Sequence, residues 1–167
     1  SAAALSWIFY DAWKGRKPSA MGTCIAAVVG LVAITPAAGF VSIPHSLIIG
    51  VVAALVSNIL VDWRSRTGLD DTLDVFPCHG VGGMVGMLLT GVFAHTAVNG
   101  ANTTGNGLLF GETHLFIVQS LALVGVSVFA FLGSMALLKL TDIISPLRVS
   151  ASDELEGLDL SQHGEKL

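Results

Sequence analysis

Asp70-Asp71-Thr72-Leu73-Asp74-Val75-Phe76-Pro77-Cys78-His79-Gly80-Val81-Gly82-Gly83 leads into a stretch with no Asp, Glu, Lys or Arg between Val75 and Val98. About 20 helical residues cross a hydrocarbon core, so this stretch is long enough to span a bilayer. An ionisable imidazole inside such a segment is costly to place, which makes His79 a functional-site candidate by default. Read outward from His79, the chain is an all-α, polytopic membrane helix bundle.

Composition agrees. Hydrophobic residues make up 53% of the chain, charged residues 12%, and mean hydropathy is +0.76. A soluble domain carries about 25% charged residues. The net charge of -4 averages an apolar body with an acidic end, since Asp153, Glu154, Glu156, Asp159 and Glu165 all follow Pro146. Nothing in this charge pattern suits a nucleic-acid partner. Cys24 and Cys78 sit in apolar runs without a close-spaced partner, so neither a disulfide framework nor a metal site is indicated, and both read as small buried residues.

Three more runs lack charge: Ala20 to Pro44, His45 to Val61, and Leu115 to Leu138. With the His79 run they make four full spans. Ser1 to Tyr10 is too short to cross, but Trp7, Tyr10 and Trp13 followed by Lys14, Arg16 and Lys17 resemble the interfacial end of a helix. Helices are expected at about 1–13, 20–40, 43–62, 71–97 and 113–146. Together they form a transmembrane portion, 1–148, followed by a tail, 149–167. The chain starts as if within a helix and lacks an initiator Met or signal peptide, which reads as the carboxy-terminal part of a longer protein.

Every basic residue falls on one side of this topology. Lys14, Arg16 and Lys17 follow the first helix, Arg64 and Arg66 the third, and Lys139, Arg148 and Lys166 lie at or after the end of the fifth. The alternate connections carry no Lys or Arg, so the positive-inside rule puts the basic side and the tail in the cytoplasm. Gly22, Ala26 and Gly30, and likewise Gly82 and Gly86, recur every four residues, a spacing that lets helix backbones approach closely in lipid. Ser120, Ser127 and Ser134 repeat at heptad spacing and read as small interhelical contacts. Asn102-Thr103-Thr104 is a formal glycosylation sequon on the expected outer side.

Around His79 the acidic residues have a structural reading. Asp70 or Asp71 can cap the helix, and Asp71 with Asp74 has capping-box spacing. With a helix start near Thr72, His79 lies on the order of 10 Å in, at hydrocarbon depth. Pro77 in the first turns can bend the helix. Desolvation favours a neutral imidazole, which both donates and accepts hydrogen bonds. Such a ring can line a path for a small polar solute, relay a proton, ligate a haem or metal, or bond a neighbouring helix. His45, His95 and His114 fall at expected outer ends and His163 in the tail, so a two-histidine site needs a partner from outside this chain.

The run Asp70-Asp71-x-x-Asp74-Val75-Phe76-x-x-His79-Gly80-Val81-x-Gly83, continued by Leu89-Thr90-Gly91-Val92-Phe93-Ala94, resembles the signature of the ammonium transporter (Amt/MEP/Rh) family in its bacterial-type Amt branch. Gly15-x-Lys17-Pro18-Ser19 leading to Gly30-Leu31-Val32-Ala33-Ile34-Thr35-Pro36-Ala37-Ala38-Gly39 is similar to the family's eighth helix and its approach. Leu47-Ile48-Ile49-Gly50-Val51-Val52-Ala53 is similar to the ninth, and the end from Leu147-Arg148-Val149 to Gly164-Glu165 to the cytoplasmic tail.

That resemblance implies eleven transmembrane helices in two inverted repeats plus a long final helix, assembled as homotrimers with one pore per subunit. This chain would run from within the seventh helix through the eleventh. It implies that His79 is the second of two facing pore histidines, that Val28 and Val75 line the pore, and that Asp71 supports the cytoplasmic half. Thr35 matches a conductance-associated position. The first histidine, the phenylalanine gate and the outer aromatic recruitment site belong to the missing amino-terminal half. The implied function is transmembrane transport of ammonium or ammonia, with methylammonium as an analogue, without catalysis or cofactor, in the plasma or inner membrane. A PII-type signalling protein is an implied partner at the cytoplasmic face. An ammonium sensor or receptor is the alternative, and a haem-binding membrane protein a weaker one, since only one histidine lies mid-span.

Overall fold

The computed structural model describes residues 1–100 and 105–165, so the sequon and Lys166 lie outside the described residues. Among them the regular structure is helical throughout: α1 (Ala2–Trp13), α2 (Ala20–Ile34), α3 (Ile43–Arg64), α4 (Gly82–Phe93), α5 (His114–Ile144), α6 (Ala151–Glu156) and α7 (Leu158–His163). A π-helical turn, Phe76–Val81, runs directly into α4, and 3₁₀ turns occupy Thr35–Ala37 and Leu108–Phe110. The chain divides into two compact units, Ser1–Val124 and Gly125–Leu167.

Local chemistry sets the boundaries. Ser19, in extended conformation, caps α2 by accepting from the Gly22 amide at 3.0 Å. α2 was expected to reach residue 40. Pro36 ends it early, because proline has no amide to continue the ladder, and Gly39 at φ +82° turns the chain toward α3. Pro44 occupies the first turn of α3, where its missing amide leaves no bond unmade. Four segments are long and apolar enough to cross a membrane: Ala20–Ala37, Ile43–Arg64, Phe76–Phe93 and His114–Ile144.

In the first unit, α1, α2 and α3 pack on one another, and α4 packs on α2 and α3. The core is built from small side chains, with Ala3, Ala26, Ala33, Ala37, Ala53 and Ala54 buried beside Val29, Ile49 and Trp7. Small residues are what lipid-embedded helices need, because association there depends on close backbone contact rather than expulsion of water. Gly86 shows how close: a Cβ on it would overlap the backbone carbonyl of Ala33 on α2. One on Gly30 would lie 2.8 Å from Cβ of Ala3.

In the second unit the Arg148 guanidinium grips the Glu154 carboxylate with two bonds, at 2.6 and 2.9 Å. Ser150 caps α6 through the Asp153 amide, and Gly157 at φ +100° separates α6 from α7. Ser161 closes back on the carbonyls of Asp153 and Gly157.

Candidate pore site

The helix bearing His79 starts later than its sequence suggests. Both oxygens of Asp71 accept backbone amides, Val75 at 2.8 Å and Phe76 at 2.9 Å, so Asp71 is the cap and helical geometry begins at Val75. These two bonds hold the Asp71 carboxyl below its ordinary value of 3.8. Asp70 only accepts the Thr72 hydroxyl at 3.1 Å. The capping-box expectation is corrected at Asp74. Its side chain does not reach back to the cap but pairs with Arg64 at the end of α3, with Nε at 2.9 Å and Nη2 also engaged. Asp74 adopts φ +52°, the left-handed conformation that ends the turn before the helix.

His79 therefore stands one turn inside the helix, roughly 6 Å from its start at 1.5 Å per residue, and not the 10 Å expected from a start at Thr72. The turn carrying it is π-helical, with Pro77 at its beginning. π-Turns are rare and concentrate at functional sites. Below it, Ser57 of α3 donates its hydroxyl to the Pro77 carbonyl at 2.9 Å, with both residues buried.

His79 is exposed on this chain and faces a cavity of about 230 Å³ bounded by Cys24, Ile25 and Val28 of α2, Leu73 of the loop, and Cys78. Val28 and His79 thus share one apolar concavity. Val75 is half-exposed at the helix start and does not bound it. Thr35 lies at the other end of α2, its hydroxyl returned to the Leu31 carbonyl at 2.7 Å. Of the two cysteines, Cys78 is buried as expected but Cys24 is exposed and bounds the cavity.

Two polar clusters lie beyond this cavity. Arg16 bridges Asp11 at 2.9 Å, Asp62, and the Asn58 carbonyl at 2.8 Å, while the Asn58 amide donates to Asp11 at 3.1 Å. This joins the end of α1 to α3 at the same end of the bundle as Arg64 and Asp74. At the opposite end His45 stacks on Phe93, with ring centroids 4.8 Å apart and an 8° interplanar angle, and His95 meets Phe110 edge-on at 4.3 Å. Ser57 and Asn58 have no role in the sequence reading, and Arg64 only one of sidedness. The signal was the pair Ser57-Asn58, adjacent polar residues in an otherwise apolar span, each needing a partner once buried.

The sequence profile of the Ammonium Transporter Family matches residues 1–167, the whole chain. The chain belongs to the ammonium transporter family. A putative ammonium transporter of Methanothermobacter thermautotrophicus is 42% identical over 99% of this chain and 40% of its own length. Ammonium transporter Amt1 of Archaeoglobus fulgidus is 41% identical over 92% of this chain and 38% of its own. The crystal structure of Candida albicans Mep2 superposes with a TM-score of 0.83 at 33% identity, covering 91% of this chain and 34% of that one. The chain thus spans about two fifths of the length of these curated relatives. Family membership and the four long apolar segments make this an integral membrane protein.

Proposed function

We propose that this chain supplies one wall of a narrow apolar path for ammonium or ammonia, with His79 as its polar point. The observation that carries the proposal is the cavity joining His79 to Val28. An ammonium ion moving into a low-dielectric medium loses hydration, with an idealised penalty on the order of 20 kcal/mol. A purely apolar path stops it. In the proposed cycle ammonium releases its proton near the outer mouth, ammonia passes the His79 imidazole, and the proton travels separately, giving net transport of ammonium. Potassium has no proton to release and is held back by the same barrier.

In this reading Val28 and Val75 line the path, Thr35 lies farther along it, and Asp70, Asp71 and Asp74 hold the start of the His79 helix. Residues 1–148 are the membrane portion of a C-terminal half, and 149–167 a cytoplasmic tail, since Lys14, Arg16, Lys17, Arg64 and Arg66 flank the same side. The facing histidine comes from an amino-terminal half, the assembly is a homotrimer, and the tail is the docking point for a PII-type regulator. Uptake of labelled methylammonium by the full-length protein tests the core of the proposal. His79→Ala should abolish uptake or let potassium pass. Unchanged uptake with potassium still excluded would sink it.

A further inference from the structure

We propose that Ser57 is a positioning residue for His79, acting through the carbonyl of Pro77. This rests on the reading of His79 as the polar point of the path. Hydroxyl groups in membrane helices usually bond the carbonyl four residues back in their own helix, which satisfies them at little cost. Ser6, Thr23, Thr35, Thr90, Ser120 and Thr141 all do so here. Ser57 does not. It is completely buried on α3, and its Oγ crosses to another helix to bond Pro77 at 2.9 Å.

The acceptor it chooses lies two residues before His79, inside the π-helical turn. Proline brings no amide to that turn, and the π geometry replaces the regular i→i−4 ladder with a wider one. The turn is tied at its start through the Cys78 amide on the Asp74 carbonyl, at 3.0 Å. Asp71 holds the Phe76 amide there as well, and Ser57 adds a tie from a neighbouring helix. The space around it is settled: a Cβ on Gly82 would lie 3.7 Å from Ser57 Oγ, in ordinary contact. Without the hydroxyl, the Pro77 carbonyl loses this buried bond, and the turn can relax toward a regular α-helix. Narrowing a wide turn rotates the residues beyond it about the helix axis, so relaxation swings the His79 ring off the cavity. The hydroxyl thus holds the wide turn, and the wide turn aims the imidazole.

The test uses the full-length protein in proteoliposomes, with transport expressed per folded molecule. Ser57→Ala should lower the maximal methylammonium rate by roughly ten-fold, as for a displaced reacting group, shift the pH profile of transport and admit potassium. Ser57→Thr, which keeps the hydroxyl, should restore both the pH profile and potassium exclusion. Wild-type rate, pH profile and exclusion in Ser57→Ala would overturn the proposal, as would equal impairment of the Ala and Thr variants, which would mean that volume and not the hydroxyl matters. Should Ser57→Ala fail to fold, Ser57→Cys, near in size but a weak donor, must show the same changes, and wild-type behaviour there would overturn the proposal. His79→Ala run in parallel separates the two readings. If it alters transport while Ser57→Ala does not, only the positioning role fails; if it alters nothing, the path reading fails and this one with it.

Discussion

Arg64, the last residue of α3, holds Asp74 through Nε at 2.9 Å and through Nη2, fixing a left-handed residue immediately before the His79 helix. Both side chains are mostly shielded, at 22% and 14% exposure. Removing one partner of a charge-assisted pair so shielded leaves the other poorly solvated. Arg64→Ala and Asp74→Ala should each cost about 1–3 kcal/mol. Asp74→Asn should cost less than Asp74→Ala, because asparagine tolerates the left-handed conformation and keeps an acceptor. Thermal unfolding of the purified protein in detergent ranks the variants, and equal melting of the Asp74→Asn and Asp74→Ala proteins would show that neither conformation nor acceptor matters.

Asp71 predicts a pH dependence with a definite sign. Its carboxyl sits below 3.8 because the Val75 and Phe76 amides bond the charged form. A carboxyl whose folded pKa is depressed contributes stability that is complete above its ordinary value and is lost as pH falls toward the folded one. The start of the His79 helix should therefore loosen progressively as pH falls through the region of 3.8 toward the lower folded value. Hydrogen exchange of the Val75 and Phe76 amides, followed from neutral to acidic pH, measures this directly. Asp71→Asn should exchange faster throughout and lose the pH dependence; a wild-type profile in that variant would remove Asp71 as the cap.

The four long spans were legible because each has an apolar run of sufficient length. The start of the His79 helix was not. Asp71 and Asp74 have capping-box spacing, yet a capping box needs a helix already running at the second residue, and Asp74 lies in a left-handed turn held by Arg64, ten positions earlier. Pattern within a segment cannot announce a partner on another helix. The same holds for Ser57: its polarity was visible, but its acceptor is a backbone carbonyl twenty residues away, and backbone groups leave no mark in sequence. The π-turn was foreshadowed only by Pro77. Of the residues matched by resemblance, Val28 and His79 share a cavity because α2 packs on α4, whereas Thr35 is carried to the far end of α2.

Arg16 ties the end of α1 to α3, beside the direct bond from the Asn58 amide to Asp11. It bonds Asp11, Asp62 and Asn58, and Asn58 is 2% exposed. Removing the guanidinium leaves two carboxylates and a buried amide sharing one site. Because Arg16 itself is 37% exposed, water recovers part of the loss, and Arg16→Met should cost about 1–2 kcal/mol. Asp62→Asn in the Arg16→Met background should recover part of it by removing like-charge repulsion. A double-mutant cycle on thermal stability measures the coupling, and strict additivity of the two changes would show the contact to be idle.

Gly82 and Gly86 share the four-residue spacing but not the same room. A methyl group on Gly86 would run into the Ala33 carbonyl, and main chain cannot step aside as a flexible side chain can. On Gly82 the nearest atoms are Ser57 Oγ at 3.7 Å and side-chain carbons of Val29 and Val32 at 3.8 Å, all ordinary contacts. Alanine also favours the helix over glycine by up to about 1 kcal/mol where it fits. Gly86→Ala should therefore destabilise by about 1–3 kcal/mol as α2 and α4 are pushed apart. Gly82→Ala should be neutral or slightly stabilising. Because the His79 cavity is bounded by α2 on one side and by the turn that runs into α4 on the other, the Gly86 variant should also lose methylammonium uptake, while the Gly82 variant keeps it. Matching melting temperatures for the two alanine variants would mean that close approach at Gly86 is not what holds α2 against α4.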